Sequence, residues 1–303
     1  MVTQVDIAII GAGAAGLTAA MTAAVHGLKV LVVERLAPGG QVATVELIRN
    51  FPAHPEGVAG FELGPLLQEQ AEAHGAHFLF GEVSAIERDG AGFRLVLDDQ
   101  EVAARAVILA AGSTRRKLEV PGAERLEGRG ISHCAACDGH FFAGKTVVVA
   151  GGGDSAFDEA DLLAGVAGRV VLLHRGAQPV ARQAARERLA GHGNVEIMPE
   201  TEIAAIHGEE GVRAVEVVSA GERREIACDG VFTYIGLAPN TGLLRGLAEL
   251  DGDGRALADA ALATATPGLF VAGDLRAGSP SLLASSAGDG AVAAESARRY
   301  LQG

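Results

Sequence analysis

Val5-Asp6-Ile7-Ala8-Ile9-Ile10-Gly11-Ala12-Gly13-Ala14-Ala15-Gly16 is the stretch on which the reading of this chain turns. A short β-branched run reaches a glycine turn, and an Ala-rich run continues to His26. After Gly27 comes Lys29-Val30-Leu31-Val32-Val33-Glu34. The order is strand, glycine turn, helix, strand, acid. Short apolar runs without alternation belong to parallel strands buried on both faces. Gly11 permits the tight turn, Gly13 lets the backbone approach a pyrophosphate, and Gly16 lets the helix lie close to the sheet. The helix start at Ala14 and Ala15 offers backbone N–H groups to the same negative charge. A carboxylate at Glu34 accepts hydrogen bonds from both ribose hydroxyls and repels a 2′-phosphate. The unit is therefore expected to hold FAD or NAD rather than NADP.

The same order recurs downstream. Lys145-Thr146-Val147-Val148-Val149-Ala150 leads into Gly151-Gly152-Gly153-Asp154-Ser155-Ala156, a helix to about Ala167, and Arg169-Val170-Val171-Leu172-Leu173-His174. Two such units predict an α/β chain with two Rossmann-like dinucleotide-binding domains. Strand-like runs at Arg105–Ala111 and Gly268–Asp274, with Gly- and Pro-containing connectors at Ser113–Pro121 and Gly236–Gly242, place the second domain inside the first. The expected boundaries are 1–114 and 242–303 for a discontinuous FAD-binding domain. Residues 115–241 form the inserted NAD(P)H-binding-like domain.

Composition narrows the function classes. The chain has 303 residues and a formal net charge of −13, which disfavours nucleic acid and anionic membranes as partners. No apolar run approaches the roughly 18 residues a membrane helix requires. The start, Met1-Val2-Thr3-Gln4, lacks a basic segment, so a cytoplasmic protein is expected. There are 3 cysteines, too few and of the wrong parity for a disulfide framework. Cys134-Ala135-Ala136-Cys137 has the spacing of a redox pair or of half a zinc site. The zinc alternative lacks a second ligand pair, since His133 and His140 are too close in sequence and Cys228 stands alone; no metal is expected. Cys228 reads as a structural thiol at a strand edge.

Gly11 to Gly16, Glu34, Gly39-Gly40-Gln41, Asn50-Phe51-Pro52, Ala110-Ala111-Gly112, Cys134 to Gly139, Gly151 to Ala156 and Gly273-Asp274 fall in the order found in low-molecular-weight thioredoxin reductases. The chain resembles that family over nearly its whole length. The resemblance implies an FAD-dependent disulfide oxidoreductase, dimeric, passing electrons from NAD(P)H to a thioredoxin-like protein or a small disulfide. It places Gly40, Gln41 and Asn50 along the flavin, Asp274 on its ribityl chain and Val83 beside the adenine. Ala111, Gly112, Gly273 and Leu282 complete the expected FAD set. Bland readings stand beside these: a turn at Gly39-Gly40, a strand-end residue at Asn50, a helix cap at Asp274. The second dinucleotide site would comprise Gly151, Gly153, Asp154, Ser155, Ala156, His174 and Arg175. Cys137 is implied to be the flavin-proximal sulfur and Cys134 the thiol that attacks the partner. Asp138 would protonate the departing thiolate, or serve only as a first-turn acid. His133 and His140 are competing bases that read more naturally as surface residues. Phe141-Phe142 would suit docking of a small protein, or one of them packs beneath the strand that begins near Lys145.

Two departures from the family pattern bear on the donor. NADPH-using relatives carry His-Arg-Arg and a further Arg four positions on, whereas this chain reads His174, Arg175, Gly176 and Val180. The family's Arg-Gln pair beside the flavin is Ser281-Leu282. The alternatives are a relative that does not depend on NADPH, fed by ferredoxin or another flavin, and a dithiol oxidase that uses oxygen. A flavin-binding regulatory module that only senses redox state is the reading from a different class.

Overall fold

The computed structural model describes residues 3–98 and 100–303. The chain forms two compact units, one holding the chain up to Thr114 together with Ala238–Gly303, the other Arg115–Leu237. The return crossing falls at Leu237–Ala238, earlier than the expected 241–242. Both crossings lie in short strands, Ser113–Arg115 and Leu237–Pro239.

The discontinuous unit is built on a sheet of seven strands among the described residues. Thr3–Ile10 lies parallel between Val30–Glu34 and Glu101–Leu109, and His77–Phe80 extends the parallel set. The inner parts of these strands, residues 7–10, 30–33 and 106–109, are apolar because both faces are covered, one by helices and the other by the hairpin of residues 83–97. The strand Glu101–Leu109 is shared. Its first half pairs antiparallel with Gly92–Leu97, and its last residues pair parallel with Leu269–Val271. The hairpin Val83–Asp89 to Gly92–Leu97 turns at Gly90, whose φ of 59° lies in the left-handed region. Gly92–Leu97 alternates partly and fully buried positions, the period of a strand with one face on the core. The helices Ala14–Val25 and Leu283–Gln302 cross at small residues: a Cβ on Gly290 would sit 2.1 Å from the Ala15 carbonyl oxygen.

The inserted unit has a five-stranded parallel sheet in the order Val195–Met198, Arg169–Leu173, Thr146–Ala150, Gly230–Thr233, Ile131–Ser132. A separate antiparallel sheet of Thr201–His207, Ala214–Ser219 and Glu222–Ala227 packs its apolar residues with Val148, Val171 and Val231. In each unit the chain moves outward from its first dinucleotide strand and then returns to that strand's other side. That reversal opens a crevice at the carboxyl ends of the strands, where ligands bind in open α/β sheets.

Candidate functional site

Register brings the first site together. Ile10 pairs with Leu109, and Leu109 with Val271, so the segments that follow all emerge at one sheet edge. They are the Gly11 turn, Ala110-Ala111-Gly112 and Ala272-Gly273-Asp274. The Ala110 amide donates to the Ile10 carbonyl and the Ala272 amide to that of Leu109.

The glycine turn has the shape of a phosphate cradle. Gly11 has φ of 102°, and a Cβ there would lie 2.6 Å from the Ala110 oxygen. A Cβ on Gly16 would lie 1.8 Å from the Gly11 oxygen. Gly13, by contrast, has nothing within 4 Å of its would-be Cβ, and no side chain caps the helix that begins after it. That open backbone at a helix start fits a pyrophosphate. The Glu34 carboxylate sits beside it, accepting from the Ala12 amide at 2.7 Å and from the Leu36 amide at 2.9 Å. These residues fit FAD.

The loop after the second strand folds over the same turn. The Gly39 amide donates to the Ala12 carbonyl, and a Cβ on Gly40 would be 3.3 Å from the Gly13 Cα. Gln41 Nε2 donates to the Ser113 carbonyl at 3.0 Å. Asn50 is exposed, and the Val83 side chain is buried in the core, leaving only its backbone for a ligand. Asp274 is not a helix cap. Its Oδ1 accepts from Ser286 Oγ at 3.0 Å, and burial raises its carboxyl above the usual range. Leu282 precedes the last helix and is largely exposed, and Ser281 before it has φ of 53°.

Several partners of this site were not read from the sequence. Asn240 Nδ2 donates to the Ala111 carbonyl at 2.7 Å, and the Asn240 amide to that of Gly112. Asp289 accepts from the Gly273 amide and from both Nε and Nη2 of Arg276. Asp289 lies on the buried stripe of the last helix, and an acid among Ala293, Ala294 and Ala297 is the signal that was available.

In the inserted unit, Gly151, Gly153 and Ala156 repeat the turn. A Cβ on Gly151 would meet the Tyr234 oxygen at 2.4 Å, and Gly153 is again open. The strand that follows ends differently. His174 is buried, its Nδ1 has no partner among the described residues, and burial lowers its imidazole below the ordinary value. The loop beyond it returns to the turn, with the Val180 and Ala181 amides donating to the Gly152 carbonyl. Val180 is 87 % exposed. Asp154 accepts from the Arg182 amide at 2.7 Å and pairs with its guanidinium at 2.8 Å.

Cys134 and Cys137 are disulfide-bonded, with Cα atoms 5.3 Å apart. Cys134 precedes the single-turn helix Ala135–Asp138, and the Cys137 amide donates to its Sγ at 3.2 Å. Cys137 is exposed and Cys134 half-buried. Ser132 Oγ donates to Asp138 Oδ2 at 2.6 Å and accepts from the Cys134 amide at 3.2 Å, so the acid is tied to the redox turn. On the other flank, Glu159 Oε2 accepts from the Ala135 amide at 2.6 Å and from the Tyr234 hydroxyl at 2.9 Å. His133 is not a free surface base. Its Nε2 meets Glu127 at 2.7 Å and its Nδ1 meets Thr233 at 2.6 Å. His140 is exposed and lies against Phe141. The aromatic pair divides: Phe141 is 63 % exposed, while Phe142 is buried edge-on to Phe232. Cys228 is buried, and burial pushes its thiol up to about 12.

Comparison with known proteins agrees with this geometry. The family model for pyridine nucleotide-disulphide oxidoreductases matches residues 5–290. The thioredoxin reductase of Treponema pallidum is 40 % identical over 303 residues, 99 % of this chain and 98 % of the relative. That of Bacillus subtilis is 38 % identical over 302 residues, 98 % of this chain and 95 % of the relative. The crystal structure of Lactococcus lactis thioredoxin reductase superposes with a TM-score of 0.94 at 34 % identity, covering 98 % of this chain and 99 % of that one. No helix among the described residues is long and apolar enough to cross a membrane. The chain belongs to the pyridine nucleotide-disulphide oxidoreductase family, as an FAD-dependent disulfide oxidoreductase of the low-molecular-weight thioredoxin reductase type.

Proposed function

We propose that the chain carries two electrons from a reduced dinucleotide, by way of FAD, to the Cys134–Cys137 disulfide and on to the disulfide of a thioredoxin-like protein, as a cytoplasmic homodimer. The disulfide in the inserted unit, with Cys137 exposed and Asp138 tied in through Ser132, carries this reading. The Gly11–Gly16 turn, with Glu34, Gly40, Ala111, Gly112 and Asp274, holds the flavin; the Gly151–Ala156 turn holds the donor. Bound FAD supplies the two-electron relay between a hydride donor and a disulfide.

Two electrons and two protons convert the Cys134–Cys137 disulfide to a dithiol. The Cys134 thiolate attacks one sulfur of the partner disulfide, forming a mixed disulfide and releasing a partner thiolate, which takes up a proton. The Cys137 thiolate then attacks Cys134 Sγ. That step restores the internal disulfide and frees the second partner thiol. Asp138 holds the exchanged proton at its carboxyl, where Ser132 Oγ donates. Exposed Phe141 offers an apolar contact to the partner.

The same reading leaves exposed Arg175 to meet a 2′-phosphate with little help from other cations. Arg182 is engaged by Asp154 and Asp158, His174 is buried with a lowered imidazole, and Gly176 and Val180 carry no charge. This supports weak use of NADPH, with NADH comparable or better, or a reductant other than either nucleotide. Stopped-flow reduction of the flavin by each donor tests it; rapid, strongly NADPH-selective reduction would refute it. The disulfide reading is tested by Cys134→Ser and Cys137→Ser. Each is expected to abolish partner reduction with FAD still bound, while Cys228→Ser keeps most activity. Full partner reduction by either single variant would show that the pair is not the redox centre.

A further inference from the structure

The redox turn carries a charge that the reaction itself does not use. Glu159 comes from the helix Asp154–Ala164, and its Oε2 accepts from the amide directly after Cys134 at 2.6 Å. Tyr234 follows the strand Gly230–Thr233, and its hydroxyl donates to the same oxygen at 2.9 Å while lying 3.2 Å from that amide. Fixed surroundings hold the pair in place. The Tyr234 amide donates to the Ala150 carbonyl at 2.7 Å, and the phenol is pushed above its usual range by burial and by Glu159. Phe157 and Ala160 on either side of Glu159 are fully buried, so its helix has little freedom to withdraw the carboxylate.

We infer that Glu159 is a positioning residue that sets the reducing strength of the pair, by fixing the Ala135 peptide and holding a negative charge one peptide from Cys134. A carboxylate there opposes formation of the Cys134 thiolate. The only donor to Cys134 Sγ among the described residues is the Cys137 amide at 3.2 Å; of the other charged groups at the turn, the Arg115 guanidinium donates to the His133 carbonyl rather than to the sulfur, and Asp138 is held by Ser132. Disfavouring the thiolate destabilises the reduced pair relative to the disulfide, which makes the couple a stronger reductant. Dithiols whose reduced form is stabilised are, conversely, strong oxidants. A chain that must drive electrons outward needs the first arrangement. The Tyr234 hydroxyl tempers the effect by donating to the carboxylate.

This inference rests on Cys134–Cys137 as the redox pair, but its test does not depend on which sulfur attacks a partner. In flavin-loaded Cys137→Ser protein, Cys134 is the reactive thiol, since Cys228 is buried with its thiol pushed up to about 12. The pH profile of iodoacetamide alkylation then gives the Cys134 thiolate pKa. Adding Glu159→Gln is expected to lower it by about one unit, a roughly tenfold larger thiolate fraction below the original pKa. Glu159→Asp should stay near the parent. Tyr234→Phe, which leaves the carboxylate untempered, should raise the value slightly. With both cysteines present, Glu159→Gln should raise the reduction potential of the couple by up to about 30 mV, the two-electron equivalent of tenfold. An unchanged or raised thiolate pKa in Glu159→Gln would overturn the inference. Shifts of one sign in Glu159→Gln and Tyr234→Phe would also overturn it, because they report only a loosened turn.

Discussion

In the discontinuous unit the Gly11 amide donates to the Val33 carbonyl, and the next residue, Glu34, turns its carboxylate back onto the Ala12 amide. In the inserted unit the Gly151 amide donates to the Leu173 carbonyl in the same way, but the next residue is His174, buried and with Nδ1 unpartnered among the described residues. The two turns share backbone geometry and differ in the one side chain that would read a ribose. In dinucleotide units of this kind pyrophosphate recognition lies in the turn, where glycine is required by space. Ribose recognition in such units lies in a strand-end side chain, which here differs between the two turns without disturbing either. A glycine fingerprint therefore argues for a dinucleotide and says little about which one.

The sharpest way to break this comparison is at the third small residue of each turn. Gly16→Ala puts a Cβ 1.8 Å from the Gly11 oxygen, whereas Ala156 already carries its Cβ at the matching position. Gly16→Ala should cost about 3 kcal/mol or more and yield protein without flavin. Ala156→Gly should cost only about 1 kcal/mol and leave the flavin bound. Thermal melts and flavin absorbance read both, and similar losses from the two changes would mean that the turns are not the paired elements described.

Next in size is the donor site. Gly176→Arg with Val180→Arg adds charge-assisted contacts worth about 1.5 to 3 kcal/mol each to a 2′-phosphate. The NADPH-to-NADH ratio of kcat/KM should rise by about hundredfold or more. An unchanged ratio would show that the inserted unit does not bind its donor through this loop. At the first site, Glu34→Gln removes a charged acceptor and should weaken FAD retention by about tenfold, measured by equilibrium dialysis.

The smallest effect lies away from both turns. Glu295 accepts from Arg298, which with Arg299 and His26 lowers its carboxyl to about 2 from an ordinary 4.5. A depressed carboxylate contributes stability above its unfolded value and loses it as pH falls through the folded one. Glu295→Gln should therefore melt slightly lower than the parent at neutral pH, and the two curves should converge between about pH 4.5 and 2. The group is exposed, so the gap should shrink in salt.

Sequence carried the local part of this architecture. Both glycine turns, their flanking strands and Cys134–Cys137 are contiguous stretches whose residue types state their geometry. What it did not carry is contact between distant segments. Glu159 and Tyr234 are 75 positions apart and converge only because the helix Asp154–Ala164 follows the strand Thr146–Ala150, whose neighbour Gly230–Thr233 delivers Tyr234. Asn240 reaches Ala111 across 129 positions. The sheet Thr201–Ala227 went unread because its charged outer face hides the alternation of Val215 and Val217. His133 read as a surface residue because nothing in its neighbourhood announces Thr233.

The strand Glu101–Leu109 completes its second edge only with Leu269–Val271, the segment that delivers Gly273 and Asp274. On the ribosome those residues emerge late, after the whole of Arg115–Leu237. The inserted unit is continuous in sequence and can close its own sheet while the earlier unit still waits for its last strand. Synthesis should thus order assembly, with the thiol-bearing unit closing first and flavin capture waiting until the chain is nearly finished. A nascent chain stalled before Gly268 should already protect residues 115–237 from protease yet retain no flavin.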